Sequence, residues 1–191
     1  LGDGASMRHY QGGSSNNVAA ALHVGALADA AGYSSFKAKP TFGGSDESWF
    51  VGYNNTDATF SGKLIAKSVT KVGTGNWTIK GNENSSSITV KEGKLTIFNL
   101  SGSATTGTLT IAKGATLAGS GTTNSLVAQA GAIIIPGLSE TAVGTIKTNS
   151  NAIIQAGASM IINVSATSNS KLNVKGSIFT MAGNDTIVIA P

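Results

Sequence analysis

Residues 107–135 hold one small device twice. A short alternating strand, with Leu109 and Ile111 apolar and Thr110 polar, runs into Gly114-Ala115 and leaves on a second short strand at Leu117. After a polar Gly/Ser/Thr/Asn loop the device returns as Leu126-Val127-Ala128, Gly131-Ala132 and Ile133-Ile134-Ile135. Strands of three to five residues do not stand alone in water. Stacked on copies of themselves, they bury their inward faces against one another. This constraint predicts a repeat architecture before any other property is considered.

The same alternation runs through much of the chain. It is present at Ser48-Trp49-Phe50-Val51, Ala58-Thr59-Phe60, Lys63-Leu64-Ile65-Ala66, Val69-Thr70-Lys71-Val72 and Trp77-Thr78-Ile79-Lys80. It continues at Ile88-Thr89-Val90, Leu95-Thr96-Ile97, Thr145-Ile146-Lys147, Ala152-Ile153-Ile154, Met160 to Val164, Leu172-Asn173-Val174, Ile178-Phe179-Thr180 and Thr186 to Ile189. Aligned apolar positions lie 21 residues apart from Ile88 to Leu109, 17 from Leu109 to Leu126 and 20 from Leu126 to Ile146. A period near 20 with short strands and glycine turns is a solenoid pattern. Sandwiches and barrels show hairpins at closer spacing with Asn-Gly or Asp-Gly turns, and the one Asp-Gly lies at Asp3-Gly4. The expectation is an all-β fold, a single right-handed parallel β-helix. Ile88, Val90, Leu95, Ile97, Leu109, Ile111, Leu117, Leu126, Ile146, Leu172 and Val174 are its inward core.

Val18 to Ala31 is the one helix-like stretch, and the repeat context favours strand for Ala21–Leu27. Residues 1–44 are read as an N-terminal capping or irregular region of the same domain, and residues 45–191 as the β-helix repeats.

Composition narrows the classes of function. Charged residues make up 12% of the chain and hydrophobic residues 40%, so Ser, Thr and Asn carry the surface polarity, as in extracellular β-rich proteins. With no Cys, disulfides, thiolate metal sites and Cys nucleophiles are excluded together. The net charge is +4, but the lysines are scattered and Arg8 is the sole Arg. Nucleic-acid readers cluster such residues. The scatter fits solvated faces and charged guards on strand edges, Lys71 among them. No apolar run reaches the roughly 20 residues that a membrane-spanning helix needs.

The order of the motifs resembles a known family. Phe60-Ser61-Gly62, Val69 through Asn82 and Ser87 through Leu95 are similar to the autotransporter-associated β-strand repeat. Gly114-Ala115-Thr116-Leu117-Ala118-Gly119-Ser120-Gly121-Thr122, Ile135-Pro136-Gly137 with Gly144-Thr145-Ile146, and Lys171-Leu172-Asn173-Val174 continue the likeness. In the last of these Lys171 stands where the family has an acidic residue. The resemblance covers about residues 45–191. It implies a right-handed parallel β-helix from a secreted or surface-displayed bacterial protein, an adhesin-like passenger serving as stalk or interaction surface. Such repeats also occur in non-catalytic regions attached to secreted polysaccharide-degrading enzymes, which implies a carbohydrate-binding or spacer module instead.

The search for chemistry returns little. The two histidines, His9 and His23, lack Asp or Glu at ligand spacing, so no metal or other cofactor is expected. Gly43-Gly44-Ser45-Asp46-Glu47-Ser48 reads as a turn rather than a nucleophile elbow. The nine acidic residues are mostly isolated, and a polysaccharide hydrolase needs a facing pair. A non-enzymatic chain is expected. The aromatic side chains carry the binding potential, since nine of the eleven precede residue 78. Trp49, Tyr53 and Trp77 are the candidate glycan contacts, against the simpler reading that they fill the core. The expected partners are a host or bacterial surface glycan or protein, with neither nucleic acid nor a transmembrane segment of this chain involved.

Overall fold

The computed structural model describes residues 21–28, 41–42, 47–81, 84–99, 103–139, 141–183 and 186–190. Its strands pair in parallel and form a solenoid in which each coil lays one strand on each of up to three sides. The first side is an eight-stranded sheet of β1 (Ala21–Val24), β3 (Ser48–Val51), β6 (Ser68–Lys71), β9 (Ser87–Val90), β11 (Thr108–Ile111), β14 (Ser125–Ala128), β17 (Ala152–Ile154) and β20 (Phe179–Met181). The second side has seven strands: β4 (Ala58–Phe60), β7 (Asn76–Ile79), β10 (Lys94–Ile97), β12 (Thr116–Gly119), β15 (Ile133–Pro136), β18 (Ser159–Asn163) and β21 (Thr186–Ala190). Two three-stranded sheets complete the coils: β2 (Thr41–Phe42), β5 (Lys63–Ala66) and β8 (Asn84–Ser85), then β13 (Thr122–Thr123), β16 (Thr145–Thr148) and β19 (Lys171–Val174). The opening device of 107–135 is thus the corner between the first two sides, seen in two consecutive coils.

That corner has one chemical requirement. Gly73, Gly93, Gly114, Gly131 and Gly157 each follow a first-side strand, with φ of 69°, 68°, 77°, 78° and 86°. A side chain disfavours this left-handed conformation, and glycine does not. The recurring glycine of the sequence pattern is therefore the residue that turns the chain from one sheet to the next.

The register makes the core. Trp49, Val69, Ile88, Leu109, Leu126, Ala152 and Phe179 are stacked partners on the first side. On the second side Trp77, Leu95, Leu117, Ile134, Met160 and Ile187 are stacked in the same way. One hydrophobic cluster runs from Leu27 to Met160. Ile88, Leu95, Leu109, Leu117 and Ile146 are 0% exposed, and Leu172 and Val174 pack half-buried against the cluster. Ala21–Val24 is strand, paired with β3. Most of residues 1–44, including His9, lies outside the described residues.

Two expectations are corrected. Ile146 is inward, but it is not the next member of the column that holds Leu126. Leu126 pairs with Ala152, and Ile146 belongs to the third side, opposite Leu172. The cause is the segment after Pro136, which lengthens its coil: Leu126 and Ala152 are 26 residues apart, whereas Leu109 and Leu126 are 17 apart. This segment reaches back across β12, where Lys94 Nζ donates to the Leu138 carbonyl at 3.0 Å. Asn163 Nδ2 pins it by donating to the Ser139 and Ala142 carbonyls. The second correction is Lys71, which is 1% exposed and no guard of a solvated face. Its position in β6 is inward, between Val51 and Val90.

The interior also holds hydroxyl groups. Ser85, Thr105, Thr123 and Thr148 are each 0% exposed. Thr105 Oγ1 donates to the Ser85 carbonyl and Thr148 Oγ1 to the Ser150 carbonyl, both at 2.8 Å. Ser85 Oγ and Thr123 Oγ1 have no hydrogen-bond partner among the described residues.

Candidate functional site

Alternation along β3 decides the fate of its two aromatics. Trp49 points inward and is 1% exposed. Its Nε1 donates to Glu47 Oε2 at 3.3 Å. Trp77, inward on β7, is also 1% exposed and donates from Nε1 to the Leu27 carbonyl at 3.1 Å. Neither indole offers a face to a sugar ring. Both fill the core, and each places its polar edge on an acceptor, as buried indoles require.

Tyr53 is different. It sits in the turn after β3, 49% exposed. The turn is fastened to the preceding coil, because Gly52 N donates to the Val24 carbonyl and Asn54 N to the Gly25 carbonyl. The register sets His23 of β1 directly beside Phe50 of β3, and both face outward. Their rings stack at 4.6 Å with an 8° interplanar angle. His23 Nδ1 and the Tyr53 hydroxyl are 2.8 Å apart, with ring centroids at 5.4 Å. The result is a small outer patch of three aromatic rings with hydrogen-bonding edges. Such a surface suits a ligand that is flat and apolar on one side and hydroxylated at its rim. Sequence reasoning found Tyr53 but missed His23 and Phe50. The signal that joins them is the 27-residue spacing between Leu22 and Trp49, which is longer than the spacing near 20 read elsewhere in the sequence.

Lys71 has the most distinctive electrostatics. Its Nζ donates to the carbonyls of Val72 at 2.7 Å, Gly73 at 2.6 Å and Glu92 at 3.2 Å. Burial holds its ammonium below the ordinary 10.5, against the opposing pull of the Glu92 and Asp57 carboxylates. The carbonyls come from two successive corners, so the ammonium ties one coil to the next. Asp57 and Asn55 act similarly from outside: Asp57 Oδ1 accepts from Asn76 N and Asn55 Oδ1 from Thr74 N. These polar groups hydrogen-bond from one coil to the next.

Among the described residues no group of three or more His, Asp or Glu is placed to hold a metal ion. Asp46 and the Gly43-Gly44-Ser45 turn lie outside the described residues, as do Glu83, Glu140 and Asp185. No helix among the described residues is long and apolar enough to cross a membrane. Comparisons with protein-family models, with curated proteins and with solved structures find no match. The chain is therefore classed by its architecture alone, as a parallel β-helix.

Proposed function

We propose that this chain is a non-catalytic β-helical module of a bacterial secreted or cell-surface protein, akin to the autotransporter-associated repeat, serving as a stalk or interaction surface. One observation carries the reading: a single hydrophobic cluster extends along the stack from Leu27 to Met160. A core shared in this way makes a stiff spacer. Gly73, Gly93 and Gly114, three glycines of the family resemblance, fall at the corners with positive φ, which supports the likeness of the repeats. Two measurements test the proposal. Antibody against the chain should label intact cells of its source bacterium, and labelling only after permeabilisation would overturn the surface reading. Polysaccharides incubated with the purified chain should keep their length distribution, and release of oligosaccharides would overturn the non-catalytic reading.

A second reading is favoured by the His23–Phe50–Tyr53 patch, namely a carbohydrate-binding module attached to a secreted polysaccharide lyase or hydrolase. Under it, a glycan array gives selective binding that Tyr53→Ala abolishes while Trp77→Phe leaves it intact. Binding indifferent to Tyr53 would remove this reading and leave the first in place.

A further inference from the structure

We propose that the outer face of the first side, from His23 and Phe50 along Thr70, Thr89 and Thr110, binds a neutral, unbranched polysaccharide chain laid parallel to the solenoid axis. The proposal rests on the carbohydrate-binding reading of the His23–Phe50–Tyr53 patch; it names the ligand class and the further residues that meet it.

Register builds the face. His23, Phe50, Thr70, Thr89 and Thr110 are successive partners in one outward column. Two residues away on the same strands, Ser48 with Ser68, then Ser87, Thr108 and Ser125, form a second outward column. Neighbouring strands lie about 4.7–4.9 Å apart, so His23 to Thr110 spans roughly 19–20 Å, and the two columns are about 6.4–6.8 Å apart.

The first column passes from rings to hydroxyls. Among the described residues the hydroxyls of Thr70, Thr89 and Thr110 have no hydrogen-bond partner within the chain. Each can donate one hydrogen bond and accept two. At Val127 and Ile153 the column turns apolar, so the run of free hydroxyls is three coils long.

Charge and anchors narrow the occupant. No outward position of β3, β6, β9, β11 or β14 is charged. The residues flanking these strands carry both signs, Lys67, Lys91 and Lys113 with Glu47 and Glu92. A nucleic acid needs a run of cations, and an acidic polysaccharide needs the same. A protein partner needs buried aromatic or arginine anchors, and the face has none from Thr70 to Thr110. What remains is a ligand that is uncharged and repeats along its length, with hydroxyls at its rim and an apolar sugar face for the rings. Successive weak contacts to one such chain reinforce one another.

Calorimetric titration with length series of linear neutral glucans, mannans, xylans and galactans tests the proposal. Binding is expected in at least one series, with affinity rising as the oligomer lengthens to about 20 Å. Thr70→Val/Thr89→Val/Thr110→Val retains strand preference. It should weaken the long oligomers by at least roughly 10-fold and leave the shortest unchanged, whereas Tyr53→Ala abolishes both. A second test does not depend on that variant. The chain has no Cys, so Thr89→Cys blocked with a bulky thiol reagent should lose the long oligomers, whereas Val143→Cys, blocked likewise on the segment after Pro136, should keep them. Binding that needs Tyr53 but ignores oligomer length and the threonines overturns this proposal and leaves the carbohydrate-binding reading standing. So does a preference for a polyuronate over every neutral series. Absence of binding to any glycan, neutral or charged, overturns both.

Discussion

The middle of the stack and its last described coil are built from the same alternation, yet their side chains meet opposite fates. Leu109 on β11 is 0% exposed and Ile189 on β21 is 70% exposed. Both occupy inward positions. The difference lies in the neighbours: β11 has β9 on one side and β14 on the other, whereas β21 has β18 alone. In a solenoid, burial belongs to pairs of coils rather than to a residue's own strand.

Truncation at the two places gives the largest test of this contrast. Leu109→Ala should cost about 2–5 kcal/mol through the cavity it leaves. Ile189→Ala should cost less than about 0.5 kcal/mol, as an exposed substitution does. Urea unfolding of both variants checks it, and equal losses would break the comparison.

Lys71 sharpens the same contrast inside the stack, since it holds a core position with a charge. Lys71→Met removes the donor shared by three carbonyls and should cost about 1–3 kcal/mol. The pH dependence has a definite sign. The folded-state pKa lies below the ordinary 10.5, so between the two values the unfolded chain binds more protons and stability rises with pH. Below the folded-state value this contribution is constant. The stability gap between wild type and Lys71→Met should therefore widen as pH is raised towards 10.5, read from denaturant midpoints at successive pH values.

The smallest expected effect is a gain. Thr123 Oγ1 is buried without a hydrogen-bond partner among the described residues. Thr123→Val keeps the shape and removes the unpaired hydroxyl, so it should stabilise by about 1 kcal/mol. A thermal melt that falls instead would show that the hydroxyl is used.

Where the sequence was readable, it was because the physics is local. Alternation placed Ile88, Val90, Leu109 and Ile111 inward, and all four are 0% exposed. The corner glycines marked the turns, and the clustering of aromatics before residue 78 pointed to the region that holds the outer patch. What was missed depends on contacts between coils. The extra residues after Pro136 shift the register without altering the alternation on either side, so Ile146 was matched to the wrong column. Lys71 lies two residues from Val69 and so on its face, but its charge argued for solvent. The carbonyls of Val72, Gly73 and Glu92 that receive it are backbone groups, which no side-chain pattern announces. His23 and Phe50 are neighbours only after a coil has closed.

The same coil-to-coil register sets how the chain would respond to force. The hydrogen bonds between coils run along the axis of the solenoid, so tension between its ends opens one coil at a time instead of shearing a whole sheet. The coils bounded by Leu109 and Leu126 and by Ala152 and Phe179 contain 17 and 27 residues. At about 3.3–3.6 Å per extended residue, each would release roughly 60–95 Å of chain. Held at both ends, the module would lengthen in steps of roughly 6–9 nm, each absorbing work before the next coil opens.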